Sequence, residues 1–395
     1  MTKTWSAVLA ALAVLLAACG SSTSAGPSPN RLTVFVDAKQ PSGQPINLSA
    51  TAYFPNALTA HPGDSVDFKV RFVEPHTVTF GSLVDNDLRL AAAAGPPSAA
   101  ASPSPELAAA QAKLPNLIPL PPKKPGPPVA DQAAGQPCYL SAGAPPSDGT
   151  ACSKDQQKQA DFDGTETYYN SGFLPPDAVF TVKLSDNLKA GTYGFMCLLH
   201  REGMTGKLTV VDKSAKSDSP GDVTARGQSQ VQSLISALTP VATQARQAPA
   251  SKALAGFADP TGAVRNGDVA EFGPKAASIP VGGTISWTVF AAHTITFGAT
   301  AADVGAVTKN PDGSVALALK ALAPAGGPGA PQGPPPTAPT TIDGGVYSGQ
   351  GFHNSGILLS LPPALLTYKL KFTTAGTYHY FCLLHTDMEG TVKVG

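Results

Sequence analysis

Two short stretches of the 395-residue chain bring a cysteine, a histidine and a methionine close together: Cys197, His200 and Met204, and again Cys382, His385 and Met388. Each has one further histidine far upstream, His76 for the first and His293 for the second. Thiolate and thioether sulfur suit Cu(I), imidazole also suits Cu(II), and a His₂Cys set with a weak axial Met is a one-electron copper site. A mixed set held rigidly favours neither oxidation state strongly, so electron exchange needs little reorganisation. A lone histidine reads better as a core residue and a lone methionine as a gap-filler. Here the chain has four methionines, and besides Met1 and Met196 the other two follow the site histidines. The duplicated Cys-x₂-His element therefore favours a metal, with two coppers in all.

The elements that must position these residues are also duplicated. Residues 190–200 (AGTYGFMCLLH) recur at 375–385 (AGTYHYFCLLH), 75–81 (PHTVTFG) at 292–298 (AHTITFG), and Asn170-Ser171-Gly172 at Asn354-Ser355-Gly356. Residues 204–210 match 388–394, with one more residue between His200 and Met204 than between His385 and Met388. One domain is present twice. Short β-branched and aromatic runs at 65–73, 76–80, 180–184 and 192–197, with counterparts at 284–290, 293–297, 367–372 and 377–382, predict strands between Gly/Pro turns. The fold class is all-β, two Greek-key sandwiches. The period of two puts Tyr193 and Phe195 on the face of Cys197, and His379 on the face opposite Cys382. His353, which aligns with Tyr169, and His61 are expected at the surface.

Each copy resembles the plastocyanin/azurin family of cupredoxins, eight-stranded Greek-key sandwiches that bind one type 1 copper at one end. The resemblance implies that His76 and His293 are the upstream ligands, Cys197 and Cys382 the thiolates, His200 and His385 the loop histidines, and Met204 and Met388 the axial ligands. Many family members follow the first histidine with Asn, which braces the ligand loop, whereas this chain has Thr77 and Thr294.

The boundaries expected are a tether at 19–30, domains at 31–211 and 256–395, and a linker at 212–255. Within the linker Val231, Leu234, Ile235 and Leu238 have the spacing of a short amphipathic helix. Pro/Ala/Gly-rich insertions at about 91–160 and 311–341 are expected as flexible or polyproline-like loops; 14 of the 39 prolines lie between Pro96 and Pro146.

Residues 1–18 carry Lys3 and an apolar run from Trp5 to Leu16, the length of an export signal and too short to span a bilayer. Leu16-Ala17-Ala18-Cys19 resembles the lipobox of bacterial lipoproteins, which implies lipidation at Cys19 and anchoring on the outer side of the cytoplasmic membrane or in the periplasm. Export places the remaining cysteines where disulfides form. Cys138 and Cys152 are expected to pair locally, tying down a loop with no core of its own. Cys197 and Cys382 occupy equivalent places in separate domains, where a metal thiolate explains both better than a bridge.

Lys+Arg and Asp+Glu both number 27 and charged residues make up 14%, which speaks against a nucleic-acid partner and against electrostatic steering. The partners expected are a redox donor and acceptor such as a cytochrome, an oxidase or another respiratory component. Docking is expected through Leu198, Leu199, Leu383 and Leu384 around an exposed loop histidine. A copper-buffering lipoprotein is the alternative. A multicopper oxidase or nitrite reductase relative is disfavoured, because such enzymes need additional histidines and this chain has seven, without a His-x-His pair.

Overall fold

The computed structural model describes residues 28–38, 43–71, 74–95, 103–116, 129–259, 261–264, 266–330, 336–360 and 362–395. The export signal and Cys19 lie outside the described residues.

The alternating segments form two β-sandwiches with matching strand order. In the first, one sheet runs Tyr53–Phe54, Arg31–Val36, Ser65–Val70, Val179–Lys183. The facing sheet runs Ala57–Ala60, Arg201–Val210, Gly191–Cys197, Thr79–Phe80, Tyr168–Asn170, Cys138–Leu140. The second repeats this as Asp268–Gly273, Ala253–Phe257, Thr284–Val289, Leu366–Phe372, Thr340–Tyr347 against Ala276–Ile279, Glu389–Val394, Gly376–Phe381, Thr296–Phe297, His353–Ser355, Pro324–Ala325. The sheets are mixed: parallel pairs such as Arg31–Val36 with Ser65–Val70 and Ala253–Phe257 with Thr284–Val289 cannot be joined by a hairpin and require the chain to cross between sheets. These are two cupredoxin-like domains. Tyr53, Phe68, Phe80 and Phe195 pack in one core and Trp287, Phe297, Phe372 and Tyr380 in the other. Cys197 and Met204 are buried in the first, Cys382 and Met388 in the second.

The linker helix is much longer than its apolar spacing suggested, Pro220–Ala245. Ser219 accepts from the Asp222 N–H as N-cap and Pro220 takes the first turn, where its missing N–H costs nothing. Pro240 lies inside without ending the helix. Val231, Ile235, Leu238 and Ala242 pack against Phe54 of the first sandwich, Ile46 and Leu48 from the same half of the chain, and Phe257 and Val269 of the second sandwich, so the helix glues the two together. Leu48–Ser49, from the first half of the chain, adds an edge strand to the second sandwich by pairing with Asp268 and Val269.

The insertions are not simply loops. The first holds the helices Pro105–Gln111 and Gln132–Gly135, the strand Cys138–Leu140 and a Cys138–Cys152 disulfide with Cα atoms 5.7 Å apart. The second holds Val315–Leu317, Leu319–Leu322 and Pro324–Ala325. In both domains one buried asparagine gathers the insertion's carbonyls: Asn170 Nδ2 donates to Ala133, Ala134 and Gln136, Asn354 Nδ2 to Lys320, Ala321 and Ala323. The insertions also meet, with Val315 buried beside Ala134 and Cys138 and its backbone paired to the Gln132 amide. Among the described residues no helix is long and apolar enough to cross a membrane.

Candidate metal centres

Each centre forms where the strand that ends at Cys197 or just before Cys382 meets the chain entering the short strand after the first histidine. His76 Nδ1 lies 3.8 Å from Cys197 Sγ, and the His76 and His200 rings are 5.1 Å apart between centroids. In the second domain His293 Nδ1 and His385 Nδ1 lie 3.7 and 3.3 Å from Cys382 Sγ and 3.1 Å from each other. Each domain thus brings two ring nitrogens and a sulfur within 4.8 Å of one another. Cys197, Cys382, Met204 and Met388 are all buried.

Thr77 and Thr294 provide the bracing that an asparagine gives elsewhere. Thr77 N–H donates to Cys197 Sγ at 3.4 Å and Thr294 N–H to Cys382 Sγ at 3.4 Å. Their hydroxyls accept from Leu198 N–H and Leu383 N–H, fixing the residue after each thiolate. Each hydroxyl also meets a second threonine, Thr79 or Thr296, which donates to Asn170 or Asn354. The asparagine that organises the insertion therefore also supports the ligand loop.

The carboxylates around the sites were not foreseen. Val36 lies opposite Val70 in the first domain and Ala255 opposite Val289 in the second. The next residue in each strand, Asp37 or Gly256, has a left-handed backbone, φ 59° and 73°. Asp37 Oδ2 sits 3.3 Å from His76 Nε2. Gly256 leaves room for the His293 ring, whose Nε2 instead faces Asp268 Oδ2 at 3.5 Å. A carboxylate behind a metal-ligating imidazole fixes its orientation and raises its basicity. Repeat comparison misses these residues because the two domains recruit them from non-equivalent positions; the positive φ of Asp37 is a structural signal only.

Burial disfavours the His76 imidazolium, but Asp37 and the Cys197 thiolate outweigh it and hold its pKa up at about 10. Burial pushes the Cys197 thiol up, and His200 and His76 overcome this to hold it well below its usual value. These directions fix the pair's effect on the metal-free protein. Below about pH 6.5 the unfolded chain carries one more proton, so stability rises with pH by at most about 1.4 kcal/mol per unit. Between about 6.5 and 8.5 each state carries one proton, on the ring when folded and on the thiol when unfolded, and the slope vanishes. Above that the folded state holds the extra proton and stability falls as pH rises toward 10. At the second site His293 and His385 are both held protonated and Cys382 deprotonated, which leaves the folded chain one further proton, so denaturant midpoints of the metal-free protein are expected to fall as pH rises above about 6.5; a steady rise through about pH 9 contradicts it.

Three expectations change. His353 is buried, not at the surface: it lies on a strand covered by the edge strand Pro324–Ala325 and its Nε2 meets Tyr368 Oη at 2.8 Å, while Tyr169, with which it aligns, is buried too. Leu198, Leu383 and Leu384 are buried too, because they follow the thiolates into the core, and Leu199 is half-buried, so the four leucines do not form a docking patch. His385 is not an exposed loop histidine, since Leu48–Ser49 and its neighbours cover it; Asn47 Nδ2 donates to Thr386 O at 3.0 Å. His379 is exposed as expected, and His61 is half-buried, its ring bonded to Ala215 and Ser217.

The donors fit copper. Thiolate and imidazole converge in a braced pocket, and among the described residues His200 Nδ1 is buried without a hydrogen-bond partner, which leaves it available to a metal. Each His-Cys-His-Met group is a type 1 copper site.

No protein-family signature and no curated protein matches the chain. Among solved structures it is similar to a mutant of amicyanin in the Cu(I) state, with 14% identity over 46% of this chain and 83% of that one at a TM-score of 0.20. It is similar to auracyanin A, a "blue" copper protein of Chloroflexus aurantiacus, with 16% identity over 46% and 99% at 0.20. A copper-containing nitrite reductase of Thermus scotoductus is similar along 93% of this chain and 68% of its own, at 11% identity and 0.20. At scores of this size the fold and the copper sites rest on strand order and donor set, not on these likenesses.

Proposed function

We propose that the protein is an electron carrier held outside the cytoplasmic membrane by a lipid on Cys19, taking single electrons from one redox protein and passing them to another. The observation that carries this is the pair of buried His₂Cys pockets, each with a methionine in the same core. Copper bound there supplies a one-electron couple. The chain's own residues keep water away from the thiolates, hold them deprotonated and lock the ligand rings, which limits rearrangement between oxidation states.

An export address is supported by the Cys138–Cys152 disulfide, a bond that persists in oxidising compartments. His76 and His293 are fully enclosed and His385 nearly so, whereas His200 is half-buried, so a partner docks beside His200. The histidines left over speak for a carrier rather than an oxidase or reductase. His61, His353 and His379 belong to separate elements, bonded to the linker, to Tyr368 and to Thr391 respectively.

Stopped-flow mixing of the reduced, copper-loaded protein with an oxidised cytochrome tests the reading. The expected result is fast recovery of the oxidised copper spectrum, one electron per copper, with the metal retained against a chelator. Slow exchange and ready release of copper to the chelator would instead identify a buffering protein.

A further inference from the structure

We propose that Glu74 is a positioning residue shared by the two copper centres, one carboxylate oxygen bound to the His385 ring of the second and the other facing the His76 ring of the first, so that its charge sets the potentials of both. The proposal rests on the two-copper reading. In both rings Nδ1 is the atom turned to the thiolate, which leaves Nε2 pointing away from the metal. Glu74 Oε1 pairs with His385 Nε2, and Glu74 Oε2 lies 4.0 Å from His76 Nε2. The centres therefore face each other across the domain interface, with one carboxylate between ligands of both.

The remainder of its surroundings fits this role. Glu74 is buried, and the Ser49 hydroxyl donates to Oε1 at 3.2 Å from the strand that covers the second site. Among the described residues its ion pairs are with His76 and His385, and no lysine or arginine neutralises it. Histidines bound to copper through Nδ1 are neutral, so the charge that compensates a buried carboxylate must come from the metals behind them. A cupric ion with its thiolate carries one net positive charge and a cuprous one carries none. A fixed negative charge therefore favours the oxidised state at each site it touches.

The sequence shows how the residue arose. Five residues, 71–75, separate Val70 from His76, whereas three, 290–292, separate Val289 from His293. The longer connection in the first domain carries Glu74 over to the second, and the second has nothing to send back. Asp37 provides a contrast, since it touches His76 alone among the ligand histidines.

The test measures each site alone in the full-length chain, by spectroelectrochemical titration in the Cys382→Ser background for the first site and Cys197→Ser for the second. Glu74→Gln, which keeps shape and removes charge, is expected to raise the potential of both sites with the blue absorption retained. Glu74→Asp, which keeps charge, returns both toward the parent values, and Asp37→Asn raises the first alone. In the metal-free protein, ring-nitrogen NMR signals of both His76 and His385 are expected to move in Glu74→Gln. A potential shift at one site only, or at neither, overturns the proposal. So does a third metal per chain that is lost in Glu74→Gln, since Glu74 would then be a ligand. A parent protein that binds copper without becoming blue sinks the underlying two-copper reading, a different failure from blue sites whose potentials stay put.

Discussion

Replacing either thiolate is expected to remove one copper and roughly half of the visible charge-transfer absorption, leaving the other site intact. Cys197→Ser abolishes the first site and Cys382→Ser the second, because each sulfur lies within reach of its own domain's histidines. The hydroxyl that replaces it is a hard, protonated donor that neither favours Cu(I) nor gives a thiolate band. The fold should survive both changes. Each sulfur accepts one long backbone bond, from Thr77 or Thr294 N–H, beside its contacts with the site's own histidine rings, and the serine oxygen can take these over. Metal analysis with an optical spectrum checks the expectation. Full colour in either variant excludes that cysteine as a ligand, and loss of all colour in one of them shows that the second site cannot load without the first.

Gly256→Ala is expected to destroy the second site while sparing the first. A Cβ on Gly256 would lie 2.0 Å from His293 Nε2 and 2.7 Å from Phe290 O, and the backbone there has φ 73°. The ring cannot yield without leaving Cys382, because its other face meets His385 at 3.1 Å. A left-handed alanine costs about 1–2 kcal/mol and overpacking about 1–3 kcal/mol more, so the variant should be about 2–5 kcal/mol less stable. Copper content falling to one per chain, with a lower denaturation midpoint, is the predicted outcome. Two blue coppers at unchanged stability would mean that His293 does not sit where the structure has it.

The sequence made the two pockets legible because it wrote them twice. His76, Cys197 and His200 are far apart or unremarkable alone, and their recurrence as His293, Cys382 and His385 in matching contexts separates ligands from core residues. The strands were legible for the same reason, since a period of two in aromatic and β-branched residues survives in both copies. What the copies do not share stayed hidden. Asp37 stands where the second domain has Gly256, Asp268 has no acidic counterpart, and Glu74 lies in a connection two residues longer than its equivalent. Asp37 and Asp268 each act within one domain from a position the other copy does not use, and only Glu74 acts by contact between domains, so comparing the copies reveals none of them. The four residues of its apolar stripe make only a short helix legible in the linker, because the partner surfaces that stabilise its full length come from both sandwiches. The insertions read as loops because their order comes from Asn170 and Asn354, single residues whose amide bonds to distant carbonyls leave no periodic trace.

The measurement closest to the central claim is electron paramagnetic resonance of the oxidised protein loaded with copper to saturation, read alongside metal content. Two cupric ions per chain, both with the narrow hyperfine splitting of a thiolate-bound type 1 site and both lost in the double variant Cys197→Ser/Cys382→Ser, is the result predicted. Colourless protein with type 2 spectra, or copper that persists in the double variant, would contradict it.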